Sequence, residues 1–273
     1  MVIVGGGNAA FSAAHAAREQ VERVLVLEKA PREWAGGNSY FTAGAYRTTF
    51  EGLEDLEPLL DDPDEELLKR TELEPYAPED FMADMERLTE GECDRDLTSV
   101  MVNEAAETIR WLHGRGLRFR LMHDRQSFEV DGKRRFWGGL VLGTVDGGKG
   151  LVEQHTKSAA GSGIEIRYES PVVDLIRDRD GSVAGVVCET SGGREEVRAG
   201  AVVLAAGASN PMRRCGPNTS ASSGGRRRSV APLTTPGTPC GWRSQRERDP
   251  TASGTAATPS PGTPERRPSE TWS

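Results

Sequence analysis

Gly5, Gly7 and Ala10 stand near the start of the chain at the spacing G-x-G-x-x-A. That spacing suits a backbone that must lie against a pyrophosphate. Gly5 permits a sharp turn, and Gly7 lacks the Cβ that would keep phosphate oxygens at a distance. Ala10 is small enough for a helix to pack closely on a sheet. Asn8 and Ala9 lie between them, where helix N–H groups would face the anion. Glu28 stands 23 positions after Gly5. A carboxylate there can accept hydrogen bonds from the two hydroxyls of an adenosine ribose.

The elements that must position these residues surround them. Val2-Ile3-Val4 is a short apolar run, the composition of a buried parallel strand. Asn8 to Gln20 is Ala-rich and predicts a helix, its positive dipole end toward the phosphates. Val24 to Leu27 predicts a second strand that Glu28 ends. Strand, glycines, helix, strand and acid in this order predict an α/β, Rossmann-like dinucleotide unit. The pattern by itself does not separate FAD from NAD.

Residues 29–47 are rich in Gly, Ala and small polar side chains and predict an ordered loop, with Gly36-Gly37-Asn38-Ser39 and Thr42-Ala43-Gly44 as its close-approach points. Helices are expected over Asp64 to Glu72, Pro78 to Leu88 and Leu97 to His113. Val100, Ala105, Ile109 and Leu112 would form the inner face of the last, and Gly114 would stop it. The acids Asp61, Asp62, Asp64, Glu65 and Glu66 read as a solvated helix start, and no metal site is expected. Leu117 to Leu121 and Ser127 to Val130 predict strands. Gly147-Gly148-Lys149-Gly150 punctuates a loop before a helix over Leu151 to Ala160, capped by Gly161 and Gly163. It lacks the spacing and final Ser/Thr of a nucleoside-triphosphate loop. Ile164 to Tyr168, Pro171 to Ile176, Ser182 to Thr190 and Glu195 to Arg198 then predict strands of a meander. It feeds a buried parallel strand, Ala201 to Leu204, ending in Ala205-Ala206-Gly207.

Composition sets the boundary of this unit. Ala208 to Ser273 holds ten Arg, no Lys and four acids, a net of +6, while the remaining residues carry 24 basic against 38 acidic side chains, a net of −14. An acidic body does not suggest nucleic-acid binding. Those last 66 residues contain no Ile, Phe or Tyr, and ten of the sixteen prolines. Ordering them would cost on the order of 100 kcal/mol. A buried large apolar side chain returns only about 1.5–3 kcal/mol. A disordered C-terminal tail over 208–273 is therefore expected. Arg226-Arg227-Arg228 reads as a solvated charge run. Cys93, Cys188, Cys215 and Cys240 form no C-x-x-C pair and suit a reducing, cytoplasmic setting. No apolar run approaches transmembrane length, and a chain that opens on a strand leaves no room for a signal peptide.

These residues together carry a likeness. Val4-Gly5-Gly6-Gly7-Asn8-Ala9-Ala10, then Ala30-Pro31-Arg32-Glu33-Trp34 followed by Gly36-Gly37-Asn38-Ser39, and finally Ala201 to Gly207 resemble the flavoprotein subunits of the succinate dehydrogenase and fumarate reductase family. Within it they are most similar to the FAD-dependent tricarballylate dehydrogenases. The likeness covers residues 1–207 and implies a Rossmann-like FAD-binding domain, truncated, with a β-meander and a helical insertion. The family's capping domain should follow Gly207, where the chain instead becomes rich in Arg, Pro, Ser and Thr. A reading-frame slip in a GC-rich gene yields that composition.

The resemblance implies the following roles. Gly5, Gly7, Asn8 and Ala9 would face the FAD pyrophosphate, and Glu28, with Lys29 beside it, the adenosine ribose. Gly36, Gly37, Asn38, Ser39, Thr42 and Gly44 would line the pyrophosphate and isoalloxazine side. Val172 would offer its backbone to the adenine, and Ala206 and Gly207 would lie along the FAD backbone. Asn38 stands where some members carry a flavin-linked His, so non-covalent FAD is implied. The implied activity is hydride transfer between flavin N5 and a small polycarboxylate such as tricarballylate, succinate or fumarate. The alternative is an FAD-binding remnant without turnover. No catalytic residue is nominated. His15 and His113 read as packing or capping residues, Trp111 and Trp137 as packing residues, and His123 and His155 lie in segments that would face substrate.

Overall fold

The structure is a computed structural model and describes residues 1–207. The expected disordered tail, its Arg run, Cys215 and Cys240 lie outside the described residues.

The apolar run Val2–Val4 forms β1, and the Ala-rich segment Asn8–Gln20 forms α1 with the expected bounds. Leu25–Leu27 forms β2. The segment expected as a loop contains a 3-10 turn at Arg32–Trp34, a short helix, α2, at Gly37–Tyr40, and then β3, Ala45–Tyr46. Glu65–Lys69 is α3, whose N–H groups at Glu66 and Leu67 donate to the Asp64 carboxylate at 3.0 Å. The acid cluster thus starts a helix, but the helix is shorter than expected, because Thr71–Glu72 leaves it to become β4. Pro78–Leu88 is α4 and Arg95–Gly114 is α5. Ile109 and Leu112 are buried as expected, but Val100 is a correction: it is exposed, and Thr98 and Val102 are buried instead. Val100 lies two residues from Val102, which on a helix is the opposite side. The α5 backbone ends at Gly114, and the left-handed residue after it is Gly116.

Phe119–Leu121 is β5 and Ser127–Val130 is β6, followed by two unexpected strands, β7 at Lys133–Phe136 and β8 at Leu142–Thr144. Gly147–Gly161 is α6, so the glycine run opens the helix itself; Gly161 is its last residue rather than a cap, and Ser162 is the C-cap. Glu165–Arg167 is β9, and the meander is β10 (Val172–Arg177), β11 (Val183–Thr190) and β12 (Gly193–Arg198). Val202–Leu204 closes the series as β13.

One parallel sheet organises the unit, in the order β13-β1-β2-β9. Alternation along β1 explains why its short run is wholly apolar. Ile3 points into a cluster with Ala10, Phe11, Ala14 and Ala159 of α1 and α6. Val2 and Val4 point the other way, against Val186 and Cys188 of the meander. A strand covered on both faces needs apolar side chains on both. β13 sits at the sheet edge, and Leu204 is exposed there. Between β2 and β9 the chain makes the insertion, with its own core around Leu56, Phe81, Ile109, Phe119 and Leu142. Trp111 packs on that core, whereas Trp137, expected to pack, is half exposed and stacks on Phe128.

Two contacts hold α6 in place. Its first turn lies on the backbone of the α2 region, where a Cβ at Gly148 would meet the carbonyl oxygens of Ser39, Tyr40 and Thr42. Further along, the His155 ring stacks on Phe11 of α1, at 5.3 Å between centroids. The His15 ring lies 6.1 Å from it. Both imidazoles are fully buried. Burial pushes the His155 imidazole down to about 3, with the neighbouring His15 adding to the effect. Burial, and then Arg115, also lower His15, against an opposing effect of Glu19.

Two outcomes follow for stability. Gly148→Ala forces the α2 backbone away from α6 and costs roughly 1–3 kcal/mol, read as a lower urea midpoint. His155 has a folded pKa below its ordinary 6.5, so the unfolded chain takes up a proton first, and stability falls as pH falls from 6.5 toward 3. From pH 6.5 to 5.5 the loss at this residue is about 1 kcal/mol. Urea melts at the two pH values measure it, and the decline is shallower in His155→Gln.

Candidate functional site

Three successive glycines at the end of β1 each touch a different part of the chain. Gly5 has φ +114°, a conformation open to glycine, and a Cβ there would stand 2.6 Å from the Ala205 carbonyl oxygen and 3.1 Å from Ala206 Cα. At Gly6 the Cβ would stand 2.7 Å from Glu28 Oε2. At Gly7 it would stand 3.0 Å from Ser39 Oγ and 3.5 Å from the Gly36 carbonyl oxygen. Hydrogen bonds fix the same neighbours. Ala205 N–H donates to the Val4 carbonyl at 2.9 Å, and Gly5 N–H to the Leu27 carbonyl at 2.8 Å. Asn8 N–H donates to Ser39 Oγ at 3.0 Å.

The structure therefore brings together residues 5–9, 28, 36–39 and 205–206, which the sequence keeps far apart. Glu28 is buried at the end of β2, and its Oε1 accepts from Ala30 N–H at 2.8 Å. Lys29 beside it is exposed. Thr42 and Gly44 continue the wall: the Thr42 hydroxyl donates to the Ser39 carbonyl at 2.9 Å and accepts from Gly44 N–H at 3.1 Å. Asn38 is exposed, as are Ala206 and Gly207, and Gly37 has open space where a Cβ would stand. Val172 packs on the meander side of the sheet in the cluster of Val4 and Leu27. The nearby Ser170 N–H donates to the Glu28 carbonyl at 2.9 Å.

This cradle suits an anion. Gly7 supplies no side-chain cap to α1, and the first turn carries no acidic residue. The N–H groups at a helix start need acceptors, and its dipole favours negative charge. The buried carboxylate lies at the end of the second strand, where it accepts from the neutral Ala30 N–H. A dinucleotide fits this division: phosphates at the helix, ribose at the acid.

Two residues meet Asn8: Tyr46, which the sequence did not single out, and His155, which it placed in a substrate-facing segment. The Tyr46 hydroxyl donates to Asn8 Oδ1 at 2.9 Å, and His155 Nε2 lies 2.8 Å from the same oxygen. Burial raises the Tyr46 phenol well above its ordinary value, with the Asn8 bond opposing. His155, expected to face substrate, is instead enclosed behind α1. His123 lies in the insertion, 3.1 Å from Thr71 Oγ1 and against Phe136, so it does not join the glycine cluster. His113 lies in the last turn of α5, its ring 6.5 Å from that of Phe119. The other dense polar cluster, Arg47, Tyr76 and Asp84, also belongs to the insertion. Arg87 first, then Tyr76 and Arg47, hold the Asp84 carboxyl below the usual range. A cleft of about 810 Å³ opens there among Phe50, Glu72, Tyr76, Arg135 and Trp137, and it shares no residue with the cradle. Among the described residues no cluster has the makings of a metal site, and no helix is long and apolar enough to cross a membrane.

Comparison with known proteins agrees with the cradle. A profile of the FAD binding domain family matches residues 1–223. The chain is 27% identical over 214 residues to a probable fumarate reductase, Ifc3, of Shewanella frigidimarina (strain NCIMB 400), covering 76% of this chain and 32% of that protein. It is 25% identical over 208 residues to a fumarate reductase (cytochrome) of Shewanella frigidimarina, covering 76% and 33%. Among solved structures, the open conformation of a flavocytochrome c3 fumarate reductase superposes with a TM-score of 0.54 at 25% identity, covering 74% of this chain and 32% of that one. A 3-ketosteroid-Δ4-(5α)-dehydrogenase from Rhodococcus jostii RHA1 shares the fold, with a TM-score of 0.55 at 22% identity over 74% of this chain and 44% of that one. The chain spans about a third of the length of the curated relatives it matches. With its profile matched over residues 1–223 and its glycine cradle in place, the chain belongs to the FAD binding domain family, of the fumarate reductase and succinate dehydrogenase kind, and FAD is the cofactor it binds.

Proposed function

We propose that this chain is the cofactor-holding part of an FAD-dependent oxidoreductase acting on a small carboxylate. The observation that carries the reading is the meeting of Ala205–Ala206, Glu28 and Ser39 at Gly5, Gly6 and Gly7. In this reading Gly5, Gly7, Asn8 and Ala9 face the pyrophosphate at the start of α1. Glu28 accepts from the adenosine ribose, Lys29 flanks it, and the Val172 backbone meets the adenine. Gly36, Gly37, Asn38, Ser39, Thr42 and Gly44 line the path toward the isoalloxazine, and Ala206 and Gly207 lie along the cofactor. FAD, when bound, supplies the two-electron redox chemistry at flavin N5. The residues of this chain bind and orient it.

The names of the relatives support fumarate, and the sequence likeness adds succinate and tricarballylate. The cofactor is held without a covalent bond: Asn38 stands in the loop after the second strand, and residues 29–47 contain no His. One observation favours a second reading, an FAD-binding chain without turnover: after Gly207, where the family's capping domain should follow, the sequence becomes rich in Arg, Pro, Ser and Thr.

Glu28→Ala raises the Kd for FAD roughly 10- to 100-fold, the effect of removing a charged acceptor. Quenching of flavin fluorescence on titration measures it, with circular dichroism to show an unchanged fold. Acid precipitation of the yellow protein leaves all flavin in the supernatant, and a yellow pellet contradicts non-covalent binding. Bleaching of the bound flavin by succinate or tricarballylate supports the enzyme, and a stable spectrum supports the second reading.

A further inference from the structure

Asn8 is the first residue of α1, and its side chain is held from behind. Its Oδ1 accepts from the Tyr46 hydroxyl at 2.9 Å, and His155 Nε2 lies 2.8 Å from the same oxygen. An amide oxygen only accepts, so His155 Nε2 must carry the proton and donate. The other ring nitrogen supports that tautomer. Nδ1 is buried and has no partner. A bare lone pair there is tolerable, whereas a proton on Nδ1 would leave an orphaned buried N–H, the rarer and costlier arrangement. Nor can the ring turn away. It is fully buried, stacked on Phe11 at 11° between planes and flanked by His15.

Two donors on Oδ1 settle the orientation of the amide. Its Nδ2 group, with two N–H donors, then has no protein partner among the described residues. It is carried by the half-buried first residue of α1.

We propose that His155, with Tyr46, is a positioning residue for the cofactor: it locks Asn8 so that Nδ2 is presented to a pyrophosphate oxygen of FAD. The proposal rests on the reading that FAD occupies the glycine cradle. It gives a role to an imidazole that stays neutral and buried. It also explains why a polar side chain from α6 penetrates the apolar layer between two helices.

The test is a double-mutant cycle on FAD affinity. His155→Leu raises the Kd of the otherwise unchanged chain about tenfold, the value of one well-placed hydrogen bond. In an Asn8→Ala background the same change has little further effect, because the group it positions is gone. His155→Gln, which keeps a donor, restores most of the affinity. An equal loss with and without Asn8 would mean that His155 acts by packing alone, and it overturns the proposal, as does an unchanged Kd in His155→Leu. If the Leu variant does not fold, nitrogen-15 spectra of the full chain decide: His155 protonated on Nε2 from pH 5 to 8 supports the proposal, and protonation on Nδ1 overturns it. Absence of FAD binding by the unaltered chain contradicts the cofactor reading itself, whereas binding without coupling between residues 8 and 155 contradicts only this inference.

Discussion

The structure depends on backbone approaching backbone at residues 5–7, where no side chain intervenes. Each missing Cβ admits a different neighbour: the β13 end at Gly5, the Glu28 carboxylate at Gly6, and the Ser39 turn at Gly7. A methyl group at any of these would stand 2.6–3.0 Å from the atom it met. The constraint is therefore steric before it is chemical. Once the segments have closed on the glycines, the start of α1, the buried Glu28 carboxylate and the Ser39 hydroxyl come together.

The parallel sheet makes this closure reproducible. β13 and β2 flank β1 in register, Val4 opposite both Leu27 and Leu204. The residues just beyond those three strand ends are Gly5, Glu28 and Ala205, so the site is a direct consequence of strand pairing. The third partner, Ser39, does not come from the sheet. It is held by α2 lying on the glycine-rich first turn of α6. Two glycine-rich stretches with unrelated sequence patterns thus serve one purpose, letting polar backbone pack at close range.

Much of this was legible in the residues. β1, α1 and α4 have the bounds expected from an apolar run, an Ala-rich stretch and a Pro at a helix start. The junction of Ala205-Ala206 with Gly5 was expected from a likeness of two distant segments, and the geometry brings them together. The insertion was harder to read. β7 is Lys-Arg-Arg-Phe, with no apolar alternation; its neighbours supply what holds it, Glu72 pairing with Lys133 and Arg135, and Glu129 with Arg134. Val100 was misplaced because several apolar residues of α5 fit a helical face, and only packing selects which face is inside. The Asn8 cluster was beyond local reading, since its members lie 38 and 147 residues apart.

The central claim is that four segments form one cofactor groove. Hydrogen exchange of the full chain, with and without saturating FAD, tests it most directly. The account predicts that peptides containing residues 5–10, 28–30, 36–44 and 205–207 slow together on FAD addition, while those lining the insertion cleft, such as 71–76, do not change. Protection confined to one of the four, or centred on that cleft, contradicts it.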